Sequence, residues 1–174
     1  GFVAFLDEPK KGVKSILNKL SNINVKVKIL TGDNPYATKN ICSLAGLNSG
    51  NILLGSDIEK MSDEELTPLL ETTDVFARMN PLEKERIVHL YKKTGHVVGY
   101  MGDGVNDAPA LSSADVGISV NTAASIAKET SDIILLKSGL NVIYDGILEG
   151  RKVYGNIIKY IKMALSGDLG DVFS

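Results

Sequence analysis

The stretch GYMGDGVNDAPAL, residues 99–111, gathers Asp103, Asn106 and Asp107 between two glycines and a proline, directly after an apolar run. The two carboxylates repel each other, and Gly102 and Gly104 let the backbone turn tightly around them without a Cβ clash. Such a cluster suits Mg2+, which takes one or two carboxylates, keeps several waters and accepts a phosphate oxygen. A second stretch, TGD at 31–33, offers the Thr31 hydroxyl and, with Gly32, backbone amides for a phosphoryl oxygen. Lys84 supplies a positive charge near the start of a third segment, PLEKERIVHLYKK. Together these groups make a site for phosphoryl transfer with everything except a nucleophile.

Each group also has a plainer reading on its own. GDG is an ordinary turn, and Asp107 can cap the helix behind it. TGDNP reads as a helix start, and Lys84 as a solvated helix charge. His89 and His96 lack a metal-ligand spacing and read as surface or edge residues, and Cys42 reads as a small core residue. GDGVND is a poor dinucleotide fingerprint, because Asp107 stands where the third glycine belongs. Only the joint occurrence favours the chemical reading.

These loops need elements to position them. GFVAFLD (1–7) reads as a buried strand, and residues 10–20 place Val13, Ile16, Leu17 and Leu20 on one helical face. VKVKILTGD (25–33) alternates apolar and charged residues before its turn. The helix after it has clear punctuation: Asp33 or Asn34 as cap, Pro35 in the first turn, Gly46 as stop. NILLGSD is a weaker strand, and SDEELTPLL carries a capping box, Ser62 with Glu65, in a helix that Pro68 should shorten. DVFARMN, HVVGYMGD, DVGISV and DIILL read as strands, separated by helices opening at Pro81, at NDAPALSSA and at TAASIAKET. From Gly139 to Phe173 the pattern is mainly helical, weakened at Gly146, Gly150 and Gly155. The alternation predicts a mostly parallel sheet with helices on both faces. Ligands collect beyond the carboxyl ends of strands in such sheets, which brings TGD and GDGVND to one working edge.

Bulk properties narrow the field. The 174 residues are 44% hydrophobic and 23% charged, enough for one domain with a real core. A formal net charge of -2 gives no global case for a nucleic-acid partner. One cysteine fits a reducing compartment. The N-terminal apolar run is too short for a signal peptide, and no stretch reaches the roughly 18 apolar residues of a spanning helix. The chain is therefore expected to be soluble.

ILTGDNPYATKNICSLAGL, FARMNPLEKERIV and GDGVNDAPALSSADVGISV, in this order and at these separations, resemble the cation-transporting P-type ATPases. The resemblance runs along essentially the whole chain, and GDGVNDAP is a very specific motif. It implies a Rossmann-like α/β sheet of the haloacid dehalogenase type, with residues 1–150 forming the C-terminal part of the phosphorylation domain and 151–174 a stalk helix leading towards a membrane segment. It implies ATP and Mg2+ as cofactors. By motif, Thr31 and Gly32 would touch the phosphoryl group, Lys84 would neutralise it, and Asn106 would hydrogen-bond phosphate. Asp33 and Arg78 would lie near the nucleotide, Asp103 would ligate Mg2+, and Asp107 would support the metal site. GYMGDGVNDAPAL and EGRKVYGNIIKYIKMALSGDLGDVFS, with Met101 where many pumps have threonine, look most like the magnesium-transporting subclass.

A further departure concerns activity. The family's phosphorylated aspartate lies in DKTGT, and no DKT occurs in these 174 residues. The resemblance thus implies a piece of a plasma-membrane pump whose partners are the nucleotide-binding, actuator and membrane domains and a transported cation, with no turnover by itself. Because the DKTGT strand normally lies mid-sheet, a gap or exposed strand edges, a distorted sheet or self-association is expected. Alternative readings are a proton or calcium pump fragment, a soluble haloacid dehalogenase-type phosphatase, or a non-catalytic module that holds Mg2+ and phosphate. For the phosphatase, Asp7 ends a strand, but LDEPKKG lacks the second aspartate two residues on.

Overall fold

A computed structural model describes residues 12–47, 50–137 and 139–172, so the expected strand at 1–7 lies outside the described residues. The chain divides into two compact units, Gly1–Ser138 and Gly139–Ser174. The first holds all six strands and seven helices of the described residues, and the second is one long helix, α8 (Leu140–Val172). That helix starts eleven residues before the expected 150/151 boundary, next to the Gly139 where the helical pattern begins, and runs through Gly146, Gly150 and Gly155. Each glycine costs a helix about 1 kcal/mol relative to alanine, too little to break so long an element. Among the described residues no helix is long and apolar enough to cross a membrane.

The strands form two parallel three-stranded sheets. In the first, β1 (Ile29–Leu30), β2 (Ile52–Leu54) and β3 (Val75–Ala77) lie in the order β1-β3-β2. In the second, β4 (Gly99–Met101), β5 (Val116–Val120) and β6 (Ile133–Leu135) lie in sequence order. Ile29 and Thr31 both donate their N–H groups to the β3 side. Strand alternation therefore turns the Leu30 N–H and C=O the other way, to an edge that no described strand covers. β4 is likewise an edge of its sheet. The parallel α/β class agrees with the sequence, while the described strands form two sheets instead of the one that the alternation suggested.

Helix α5 (Pro81–Lys93) serves both halves. Asn80 and Glu83 cap it reciprocally, with Glu83 N–H donating to Asn80 Oδ1 at 2.9 Å and Asn80 N–H to Glu83 Oε2 at 2.7 Å, and Pro81 opens the first turn. Its buried face puts Ile87 and Leu90 against Ile58, Leu66, Leu70 and Phe76 in one cluster, and Val88 against Tyr100, Ala110, Leu111 and Ala127 in another. Leu30 packs against both clusters. Arg86 ties α5 to the turn between α3 (Gly55–Ile58) and α4 (Asp63–Thr72), donating to the Ile58 and Met61 carbonyls at 2.7 Å and to Asp63.

Two local expectations change. α4 has the Ser62–Glu65 capping box but continues through Pro68 to Thr72. Leu66 and Leu70, one turn apart and fully buried, anchor it, while Pro68 is exposed, where the carbonyl it leaves without a donor can meet water. β1 is shorter than VKVKILTGD suggests, because its partner β3 begins only at Val75. Ahead of that register Asn24 adopts a left-handed φ of 58°, and Lys28 binds Asp74 and the Thr73 carbonyl instead of extending a ladder.

Candidate functional site

β1 runs into Thr31 and β4 into Gly102, and both ends open on one cavity of about 360 Å3, lined also by Lys84, Tyr100, Asp103 and Asp107. Four of the residues singled out from sequence, Thr31, Lys84, Asp103 and Asp107, thus meet at one place. Gly32, Asp33, Arg78 and Asn106 are not among its lining residues.

Asp107 is the hub. Its Oδ1 accepts from Lys84 Nζ at 2.8 Å and from the Tyr100 hydroxyl at 2.9 Å, and its Oδ2 accepts from the Gly104 N–H at 3.1 Å. The Lys84 and Asp107 side chains retain only 10% and 13% of their exposure, so this ion pair is weakly screened. Burial by itself would push the Asp107 carboxyl up, but the hydrogen bonds from Lys84, Tyr100 and Gly104 outweigh it and hold the group below the ordinary carboxylate range. Burial and the adjacent Asp107 charge push the Tyr100 hydroxyl far up, so it stays a neutral donor. Lys84 reaches this point because it shares the buried face of α5 with Ile87 and Val88. The plain reading of Lys84 as a solvated charge therefore fails. Asp107 makes no side-chain cap to α6 (Ala108–Ser113), which starts behind it with Pro109 in its first turn.

The turn around Asp107 depends on close approach. A Cβ on Gly102 would meet Asp107 Cβ at 2.5 Å and Cγ at 2.7 Å, so glycine is required there. Gly102 N–H donates to Ile118 at 3.1 Å, and the Asp103 carbonyl accepts from Ala124 N–H at 2.9 Å, which fixes the turn to β5 and to the segment before α7 (Ser125–Glu129). The Asp103 carboxylate is exposed and makes no hydrogen bond or ion pair to another described residue. Among the described residues no group of three His, Cys, Asp or Glu side chains could hold a metal unaided. One unengaged carboxylate beside a committed one fits a Mg2+ ion that shares its shell with water and a phosphate oxygen.

Across the cavity, Thr31 is held by the sheet, its N–H donating to Phe76 and its carbonyl accepting from Met79 N–H, both at 2.9 Å. Its hydroxyl donates to Asp33 Oδ2 at 2.9 Å and accepts from the Asp33 N–H at 3.1 Å. Asn34, rather than Asp33, caps α2 (Pro35–Ala45), its Oδ1 accepting from Tyr36 N–H at 2.9 Å. The Asp33 carbonyl accepts from the Arg78 N–H at 3.0 Å, and Arg78 is held there at a left-handed φ of 53°, a strained conformation for a residue with a side chain. Asn106 is exposed in the 3-10 turn Val105–Asp107. Tyr100 is the site residue that motif reading passed over. The available signal was its place between Gly99 and Met101, which makes it the inward-facing, polar-tipped residue of a three-residue strand.

The model of one family, the haloacid dehalogenase-like hydrolases, matches residues 1–115, which end just past the Asp107 loop. The chain belongs to the haloacid dehalogenase-like hydrolase family. Within this family the chain is similar to cation-transporting P-type ATPases along its whole length. It is 51% identical over all 174 residues to the magnesium-transporting ATPase P-type 1 of Escherichia coli K12, and equally to that of Salmonella typhimurium LT2. It is 36% identical over 175 aligned residues to a calcium-transporting ATPase of Bacillus subtilis, covering 99% of this chain and 20% of that protein. The chain spans 19% of the length of its magnesium-transporting relatives. A solved structure of the catalytic domain of a CPx-ATPase, described for its conformational changes upon nucleotide binding, superposes with a TM-score of 0.61 at 27% identity, covering 80% of this chain and 45% of that one.

Proposed function

We propose that this haloacid dehalogenase-like chain is the phosphoryl- and Mg2+-handling part of the phosphorylation domain of an ATP-driven cation pump, with Mg2+ as the transported ion. The observation that carries the reading is the convergence of Thr31, Lys84, Asp103 and Asp107 on one cavity between the two sheets. The 51% identity to magnesium-transporting ATPases supports the choice of ion. The calcium-transporting relatives make a calcium pump the second reading.

In this reading Thr31 and the Gly32 amide bind the phosphoryl oxygens, and Lys84 offsets their charge in a weakly hydrated setting. Asn106 adds a hydrogen bond to phosphate, and Asp33 and Arg78 serve the nucleotide side. Asp103 ligates Mg2+, while Asp107 holds Lys84 and the turn in place. When bound, the cation supplies Lewis-acid polarisation of the transferring group. The acceptor aspartate comes from a DKTGT segment elsewhere in the pump, entering as a strand between the open edges of β1 and β4. The nucleotide-binding, actuator and membrane domains of the same pump are the partners, and the chain lies on the cytoplasmic side of the plasma membrane.

The test is an NMR titration of the 15N-labelled chain with Mg2+, with and without beryllium fluoride. Saturable Mg2+ shifts at residues 102–107 and no fluoride adduct on any aspartate are expected. No response in that loop would sink the reading, and an Mg2+-dependent adduct on an aspartate of this chain would replace it with a phosphatase. The ion is tested separately, by Mg2+ against Ca2+ uptake into vesicles holding the full-length pump.

A further inference from the structure

Tyr100 joins the core to the chemistry of the loop. The residue is 8% exposed and packs with Val88, Ala110 and Leu111, while Gly99 and Met101 on either side are exposed. Its hydroxyl donates to the same Asp107 oxygen that takes Lys84 Nζ. Three donors, from β4, from α5 and from the Gly104 amide, therefore converge on one carboxylate. The terminal torsion of an aspartate is soft, so a donor on a flexible group leaves the carboxylate able to rock. The long Lys84 side chain is such a donor, and the Gly104 amide holds only the other carboxylate oxygen. A hydroxyl on a ring locked in the core is not such a donor.

We infer that Tyr100 is a positioning residue of this site: its hydroxyl fixes the Asp107 carboxylate, and through it the Lys84 ammonium and the turn that carries Asp103. The inference rests on the phosphoryl-site reading for its purpose, while its geometry stands apart from that reading. A buried phenol needs a hydrogen-bond partner in any protein, so the test has to separate positioning from simple satisfaction of the hydroxyl.

Tyr100→Phe keeps the ring and removes only the hydroxyl. In the metal-free chain, the Gly104 amide and the Lys84 side-chain resonances are expected to shift, with faster solvent exchange at Gly104. In the Mg2+ titration, half-saturation at residues 102–107 is expected to rise about 3- to 10-fold, the worth of one hydrogen bond. Val88→Ala, which loosens the same cluster without touching the carboxylate, is expected to lower Tm but to leave the Gly104 and Lys84 signals and the Mg2+ midpoint in place. The inference is overturned if Tyr100→Phe leaves Gly104 and Lys84 unmoved, if the Mg2+ midpoint is unchanged, or if Val88→Ala reproduces its effects. A wild-type chain that ignores Mg2+ would instead remove the phosphoryl-site reading, and the metal-free comparison would still decide whether Tyr100 sets the carboxylate.

Discussion

Val75, Phe76 and Ala77 on β3, the middle strand of the first sheet, are all fully buried, whereas β4 at the edge of the second turns only Tyr100 inward. The first half packs large side chains, Ile58, Leu66, Leu70, Phe76 and Ile87, around a strand protected on both sides. The second packs small ones, Ala110, Ala123 and Ala127, beside Leu111, Val88 and Tyr100. Small residues let backbone approach backbone: a Cβ on Gly117 would meet the Leu111 carbonyl oxygen at 2.7 Å, just as one on Gly102 would meet Asp107. The contrast teaches where a charged site can be afforded. The first half supplies burial and hands the cavity Thr31 and Leu30, while the second gives up burial to bring polar groups together at a strand edge.

The sharpest way to break this comparison is Phe76→Ala, which should cost about 3–5 kcal/mol by urea denaturation, since a large buried side chain leaves a cavity in a rigid core. A loss below about 1 kcal/mol would mean the first half is no scaffold. Lys84→Met comes next. Breaking a fully buried pair costs about 3–5 kcal/mol, and the residual exposure of both partners reduces the expectation here to about 2–3 kcal/mol, read from the same denaturation curves. A neutral result would return Lys84 to the solvated helix charge that its sequence position suggests. Asp103→Asn should change stability by no more than about 0.5 kcal/mol, because its carboxylate has no partner among the described residues, yet it should abolish the Mg2+ shifts at 102–107. A stability loss without a change in Mg2+ response would reverse the roles of the two aspartates.

The smallest effect concerns acid. Asp115 accepts from the Val98 N–H at 2.8 Å and pairs with Lys92 at 3.2 Å, and the backbone hydrogen bond first, then Lys92, hold its carboxyl below the ordinary range. A carboxyl depressed in the folded state adds stability above its unfolded pKa and loses it as pH falls through the folded one. Asp115→Asn should therefore lower Tm slightly at neutral pH and flatten the decline below about pH 4. Parallel declines of variant and wild type would show that this surface contact does not hold β4 to β5.

Much of this was legible because it is local. The caps at Asn34, Ser62 and Asn80 follow from side chains that reach backbone donors two or three residues on. The glycines of GDG announced a tight turn. The extents of elements were less legible: Pro68 argues for a short helix, and only the packing of Leu66 and Leu70 carries α4 past it. Arg78 carries no sequence sign of its left-handed backbone, which goes with a backbone bond to Asp33, 45 positions away in the chain.

The sequence by itself determined the parallel α/β class and most of the helix starts, because periodicity and capping are short-range properties, and it nominated Thr31, Lys84, Asp103 and Asp107, which line one cavity. Tertiary structure alone decided that the described strands form two sheets, that Asp107 is committed to Lys84, Tyr100 and Gly104 while Asp103 stays unengaged, and that Tyr100 belongs to the site at all. Asp107 and Lys84 stand 23 positions apart in the chain. Which of several donors meets a carboxylate across that separation depends on how α5 packs against both half-sheets, and no local pattern encodes the outcome of that packing.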